Sequence, residues 1–106
     1  MRELNDSDWK ILRELHSRAL DRLCDRILSE IKGILDYTEK GPHQKYMNVW
    51  EVLRKRDEEL AGIFDNPRRS TALMTLASMK RAGLLTDEEF LRLSPEAREV
   101  IHHLLG

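Results

Sequence analysis

The sequence predicts an all-α fold: a compact bundle of four or five helices with a long N-terminal helix, in one domain covering residues 1–106. Two observations predict it. Apolar residues recur every three or four positions over Asp8 to Tyr37, the period of one helical face. The run Ala82-Gly83-Leu84-Leu85-Thr86-Asp87-Glu88-Glu89-Phe90 holds the residue types that stop one helix and start another, and no stretch alternates as a strand does.

In the first helix Leu12, Leu15, Ala19, Leu23, Ile27, Ile31 and Ile34 form the inner stripe, with Ile11, Leu20, Leu28 and Leu35 as its shoulders. Asp6 or Ser7 is placed to cap its start, Asp8 favours its positive end, and Arg18, Asp21, Arg22, Asp25 and Arg26 are expected to cover the outer face. Roughly 30 residues at ~1.5 Å each make ~45 Å, more than a compact domain of this size needs. Gly33 is the weak point where a bend or early end is expected.

Lys40-Gly41-Pro42-His43 breaks the pattern, and a second helix is expected from about Gln44 to Phe64. Its spacing assigns Tyr46, Val49, Trp50, Leu53, Leu60 and Phe64 to the core. Asp57 falls on that same face, so either the helix leaves the core for a turn or this carboxylate is paired. Asp65-Asn66-Pro67 reads as a corner, with Asn66 as cap and Pro67 at the first helical position. A third helix to Ala82 buries Ala72, Leu73, Leu76 and Met79. A short fourth runs from Asp87 to about Leu93, before the fresh start Ser94-Pro95-Glu96, and the last turns Ala97, Val100, Ile101, Leu104 and Leu105 inward.

At the corner between the third and fourth helices, Gly83 suits a left-handed cap with Leu84 folding back onto Met79. Thr86 and Glu89 can cap each other, and Leu85 can staple to Phe90. Leu76 through Leu91 resembles the short C-terminal helical module called SHOCT, which has a leucine-rich helix, Gly, two aliphatics, Thr, acidic residues and Phe. The chain departs from that pattern at Arg92-Leu93-Ser94-Pro95. The resemblance implies an oligomerising or protein-binding role without catalytic residues.

Composition limits the function classes. The 18 Lys plus Arg and 19 Asp plus Glu leave a net charge of -1, which argues against a dedicated electrostatic binder of DNA or anionic lipid. The single cysteine, Cys24, excludes an intramolecular disulfide and suits a reducing, cytoplasmic setting, and no apolar run is long enough for a membrane span. Isolated glycines form no phosphate-binding loop. Glu99 and His102 share a helical face, half of a di-iron carboxylate arrangement, and a metal-dependent enzyme would be centred there. Cys24 and His16 stand eight residues apart on one helix and cannot share a metal within it. No catalytic residue, resident metal or cofactor is assigned.

The favoured expectation is a non-enzymatic interaction or oligomerisation module that self-associates through Leu20 and Leu28 and presents a basic corner of Arg54, Arg56, Arg68 and Arg69 to another protein. The alternative is a nucleic-acid-associated regulator that sets those arginines on phosphates, less favoured because Glu51, Asp57, Glu58 and Glu59 interleave them.

Overall fold

The computed structural model describes residues 4–65 and 68–106. Those residues form five α-helices and no strand: α1 (Asp6–Asp36), α2 (Pro42–Phe64), α3 (Ala72–Arg81), α4 (Asp87–Leu91) and α5 (Pro95–Leu105), with a 3-10 turn over Arg69–Thr71 ahead of α3. The expected corner caps at Asn66 and Pro67 lie outside the described residues.

The molecule is elongated, 52 × 25 × 24 Å, because α1 outruns the bundle. Its N-terminal two-thirds supplies the buried stripe Leu12, Leu15, Ala19, Leu23 and Ile27. Phe64 of α2, Leu73, Leu76 and Met79 of α3, Phe90 of α4, and Ala97 and Ile101 of α5 complete one core with that stripe, α5 packing mainly on α3. Beyond Ile27 no residue of α1 is buried, and in α2 only Phe64 is. The last turns of α1 and the first turns of α2 therefore make a two-helix arm projecting from a five-helix base.

Gly33 does not end α1, which runs on to Asp36. No atom beyond its own helix lies within 4 Å of the space where its Cβ would sit, so it occupies open helix surface. Asn5, not Asp6 or Ser7, caps α1, with its side-chain oxygen accepting from the Asp8 amide at 2.7 Å. α2 starts two residues earlier than expected because Pro42 fits the first helical position, where its missing N–H costs nothing.

The inner face assigned to α2 is corrected. Phe64 is buried and Val49 and Leu60 are half-buried. Tyr46, Trp50 and Leu53, however, are 67%, 58% and 49% exposed. The α1 side of α2 holds Val49, Val52, Arg56, Glu59 and Ile63 instead, all half-buried. Asp57 does not interrupt a core stripe; it sits exposed on the outward one.

The α1 arginines do more than cover the outer face. Arg26 is exposed and Arg22 half-buried, and both reach across to the corner between α3 and α4. Arg22 Nη1 donates to Leu84 O at 2.8 Å and to Glu89 Oε1 at 2.6 Å, while Nη2 donates to Glu89 Oε2 at 2.9 Å. Arg26 donates to Ala82 O at 2.6 Å and to Gly83 O at 2.7 Å. Spaced four residues apart, Arg18, Arg22 and Arg26 form a ladder along one edge of α1, with Arg18 3.5 Å from Glu89.

The corner has the expected caps. Gly83 has φ +71°, the Leu84 amide donates to Met79 O at 2.9 Å and the Gly83 amide to Lys80 O at 3.0 Å, the paired bonds of a Schellman stop. The Glu89 amide donates to Thr86 Oγ1 at 3.1 Å and the Thr86 amide to Glu89 Oε1 at 2.9 Å. Asp8 has a larger role than favouring a helix end. It is buried, accepting from the Ser94 amide at 2.8 Å and the Ser94 hydroxyl at 2.6 Å, while Ser94 Oγ caps α5 by accepting from the Ala97 amide.

Candidate functional site

The arm is where the molecule leaves apolar surface in water. Its helices run antiparallel. His16 Nε2 lies 3.1 Å from Phe64 O, Arg56 donates from Nε and Nη2 to the two Glu30 oxygens at 3.1 Å each, and Lys45 Nζ donates to Leu35 O at 2.8 Å. As the partner number rises on α1, it falls on α2.

The seam between the two arm helices is partly polar. Arg56 also donates to Glu59 at 2.9 Å, so one guanidinium bridges both helices. Its hydrogen bonds hold the Glu30 carboxyl below its ordinary range, and Glu30 and Glu59 raise the Arg56 guanidinium in return. A shallow groove lined by Leu23, Arg26, Ile27, Ser29, Glu30, Arg56 and Glu59 runs along this edge.

The opposite edge is apolar. At 3.6 residues per turn, Leu28, Ile31 and Leu35 share one flank of α1, and Tyr46, Trp50, Leu53 and Asp57 share one flank of α2. Because the helices are antiparallel and meet along the seam, these flanks turn the same way and make one face. Leu28 is 63% and Leu35 55% exposed, close to the values for Tyr46 and Trp50. Trp50, Leu53, Arg54 and Asp57 line a depression of about 410 Å³ on it, with the Arg54 guanidinium 5.8 Å from the Trp50 ring centre.

The residues expected to bind partners are divided among different surroundings. Leu20 is half-buried against the core, whereas Leu28 belongs to the exposed face. Of the four arginines, Arg56 is held by Glu30 and Glu59, and Arg69 donates to Asp6 Oδ1 at 2.7 Å and Leu4 O at 3.0 Å while lying over the Trp9 ring. Arg54 lies beside Trp50, and Arg68 is exposed ahead of the 3-10 turn. Arg56 and Arg69 are thus already engaged by carboxylates of the chain.

Glu99 and His102 line a groove of about 670 Å³ with Lys80, Asp87, Phe90 and His103. His102 meets Phe90 edge-on at 5.6 Å, and Lys80 Nζ lies 4.2 Å from the Phe90 ring centre. Among the described residues no three or more His, Cys, Asp or Glu side chains cluster closely enough to hold a metal ion. His16 is engaged with Phe64 by hydrogen bond and ring edge, and Cys24 is half-buried. No helix among the described residues is long and apolar enough to cross a membrane.

Sequence reasoning missed Tyr46, Trp50 and Leu53 as surface residues because their spacing suits a core face. Asp57 was the available signal, since a carboxylate on an apolar stripe marks a side that meets water somewhere.

No family model matches the chain, and neither the curated proteins nor the solved structures contain a match to it.

Proposed function

We propose that this chain is a non-enzymatic helical interaction module that binds protein through the apolar face of its arm. One observation carries the reading: the arm puts ion pairs and a lysine-to-carbonyl bond on its internal seam and Leu28, Leu35, Tyr46, Trp50 and Leu53 on the outside. A two-helix projection that served only the fold would place those side chains between its helices. Contiguous apolar patches of several hundred Å² on otherwise charged proteins mark interaction sites, and Trp and Tyr are favoured anchors there. The resemblance of Leu76 through Leu91 to the SHOCT module implies the same class of role.

Nucleic-acid binding through Arg54, Arg56, Arg68 and Arg69 has less support, because carboxylates of the chain already occupy Arg56 and Arg69. A metal-dependent enzyme centred on Glu99 and His102 also has less support, because among the described residues no third donor stands close enough to them to complete an ion site.

Fluorescence tests the proposal. In a Trp9→Phe variant Trp50 is the sole indole, and covering the arm shifts its emission to shorter wavelength and protects it from acrylamide. If Trp50 stays as quenchable as a free indole at high protein concentration and with cell extract added, the arm binds no protein and the reading fails.

A further inference from the structure

The geometry points to a second copy of this chain as the occupant of the arm's apolar face, packed arm to arm and antiparallel about a two-fold axis. This inference rests on the interaction-module reading and names its partner.

The spacing of the face is self-complementary. An axis crossing α2 midway between Trp50 and Leu53 sets Trp50 of one copy against Leu53 of the other. It also sets Tyr46 against Asp57, so the phenol can donate to the carboxylate that is otherwise alone on the stripe. On α1 an axis midway between Leu28 and Leu35, beside Ile31, sets those two leucines against each other. The rungs Glu30 to Arg56 and Leu35 to Lys45 bracket this stretch of the arm and place the centres on α1 and α2 within about a helical turn of the same level. One axis therefore serves both helices, and the product is a four-helix layer pair in which α1 meets α1 and α2 meets α2.

Area and shape agree with that partner. At the exposures of Leu28, Leu35, Tyr46, Trp50 and Leu53, these residues offer roughly 600 Å² per copy, so full cover in two copies would bury up to about 1,200 Å² before any rim contact, the lower end of stable interfaces. In a molecule 52 Å long with its base at one end, the antiparallel arrangement puts the two bases at opposite ends and brings each arm tip toward the other copy's base.

The test uses the full chain in two measurements. In sedimentation equilibrium the protein is expected at twice its 12.5 kDa mass at micromolar concentration, with Trp50→Glu weakening association at least 100-fold while helicity is kept. For geometry, single-cysteine chains are made in a Cys24→Ser background. Leu28→Cys mixed with Leu35→Cys should form a disulfide-linked dimer on oxidation, whereas neither variant alone should. A monomer across the concentration range overturns the second copy but leaves the Trp50 quenching test of a different protein partner standing. A dimer indifferent to Trp50→Glu, or Leu28→Cys linking to itself, overturns the antiparallel arm-to-arm pairing. If Trp50→Glu unfolds, the cross-linking pattern still decides, because its substitutions are milder.

Discussion

Arg22 on the long helix and Glu89 at the start of α4 form a two-pronged ion pair, at 2.6 and 2.9 Å, on a carboxylate that is 6% exposed. Glu89 also closes the capping box with Thr86, and Arg22 also donates to Leu84 O. One contact thus joins a local helix start to the spine of the bundle. The Glu89 carboxylate is buried with several directed partners, so removing Arg22 would leave it uncompensated.

That pair should set the acid sensitivity of the fold. The Arg22 guanidinium, opposed by burial and aided by the Thr86 amide, holds the Glu89 carboxyl at about 2, against an ordinary value of 4.5. A depressed carboxylate stabilises the folded state fully above its unfolded value, and that stability is lost as pH falls from about 4.5 toward 2. Glu89→Gln keeps the side-chain oxygen for capping but removes the charge. It should cost of order 2 kcal/mol at pH 7 and flatten the pH dependence of urea midpoints below pH 5.

Gly83→Ala should destabilise by about 1 kcal/mol or more. With φ at +71°, a Cβ is strained there and would lie 3.4 Å from Arg26 Nη2, a donor to the corner carbonyls. Gly33→Ala, in open space on α1, should instead stabilise by up to about 1 kcal/mol. Thermal melts of the two variants should shift in opposite directions.

Asp8→Ala removes the acceptor for both the amide and the hydroxyl of Ser94. Leaving buried donors unsatisfied costs about 1–3 kcal/mol each, so chemical denaturation should show a loss near 3 kcal/mol. Hydrogen exchange should quicken first at the start of α5.

Arg56→Ala and Arg54→Ala should separate a seam residue from a face residue. Losing Arg56 breaks half-exposed pairs to Glu30 and Glu59 and should cost up to about 1 kcal/mol, decreasing with salt. Losing Arg54, whose contact is the exposed Trp50 ring, should leave the melting temperature within error.

Much of the fold was legible because it is local. The corner at Gly83, Thr86 and Glu89 needs only residues within one or two turns of one another, and it forms as the spacing predicts. The stripe Leu12 to Ile27 is equally legible, since a helical face that apolar is stable only when covered. The stripe of α2 misled because periodicity shows that a face is apolar, not which neighbour covers it. Tyr46, Trp50 and Leu53 pass the same spacing test as Leu15 and Leu23. The role of Asp8, 86 positions from Ser94, and the reach of Arg22 and Arg26 are contacts between distant segments that charge patterning along one helix does not specify.

By itself, then, the sequence determined the all-helical class, the long first helix, the stop of α3, the start signals of α4 and α5 and most residues of the base core, whereas α3 begins only at Ala72, after the 3-10 turn. Each follows from hydrogen bonds and apolar periods completed within a few residues. Only the tertiary structure decided that α1 and α2 run past the base as an arm, that ion pairs share its seam with Val49 and Val52, and that its aromatic stripe faces out. Those outcomes depend on which helix lies against which, and burial of a side chain is a property of the pair, not of either helix alone.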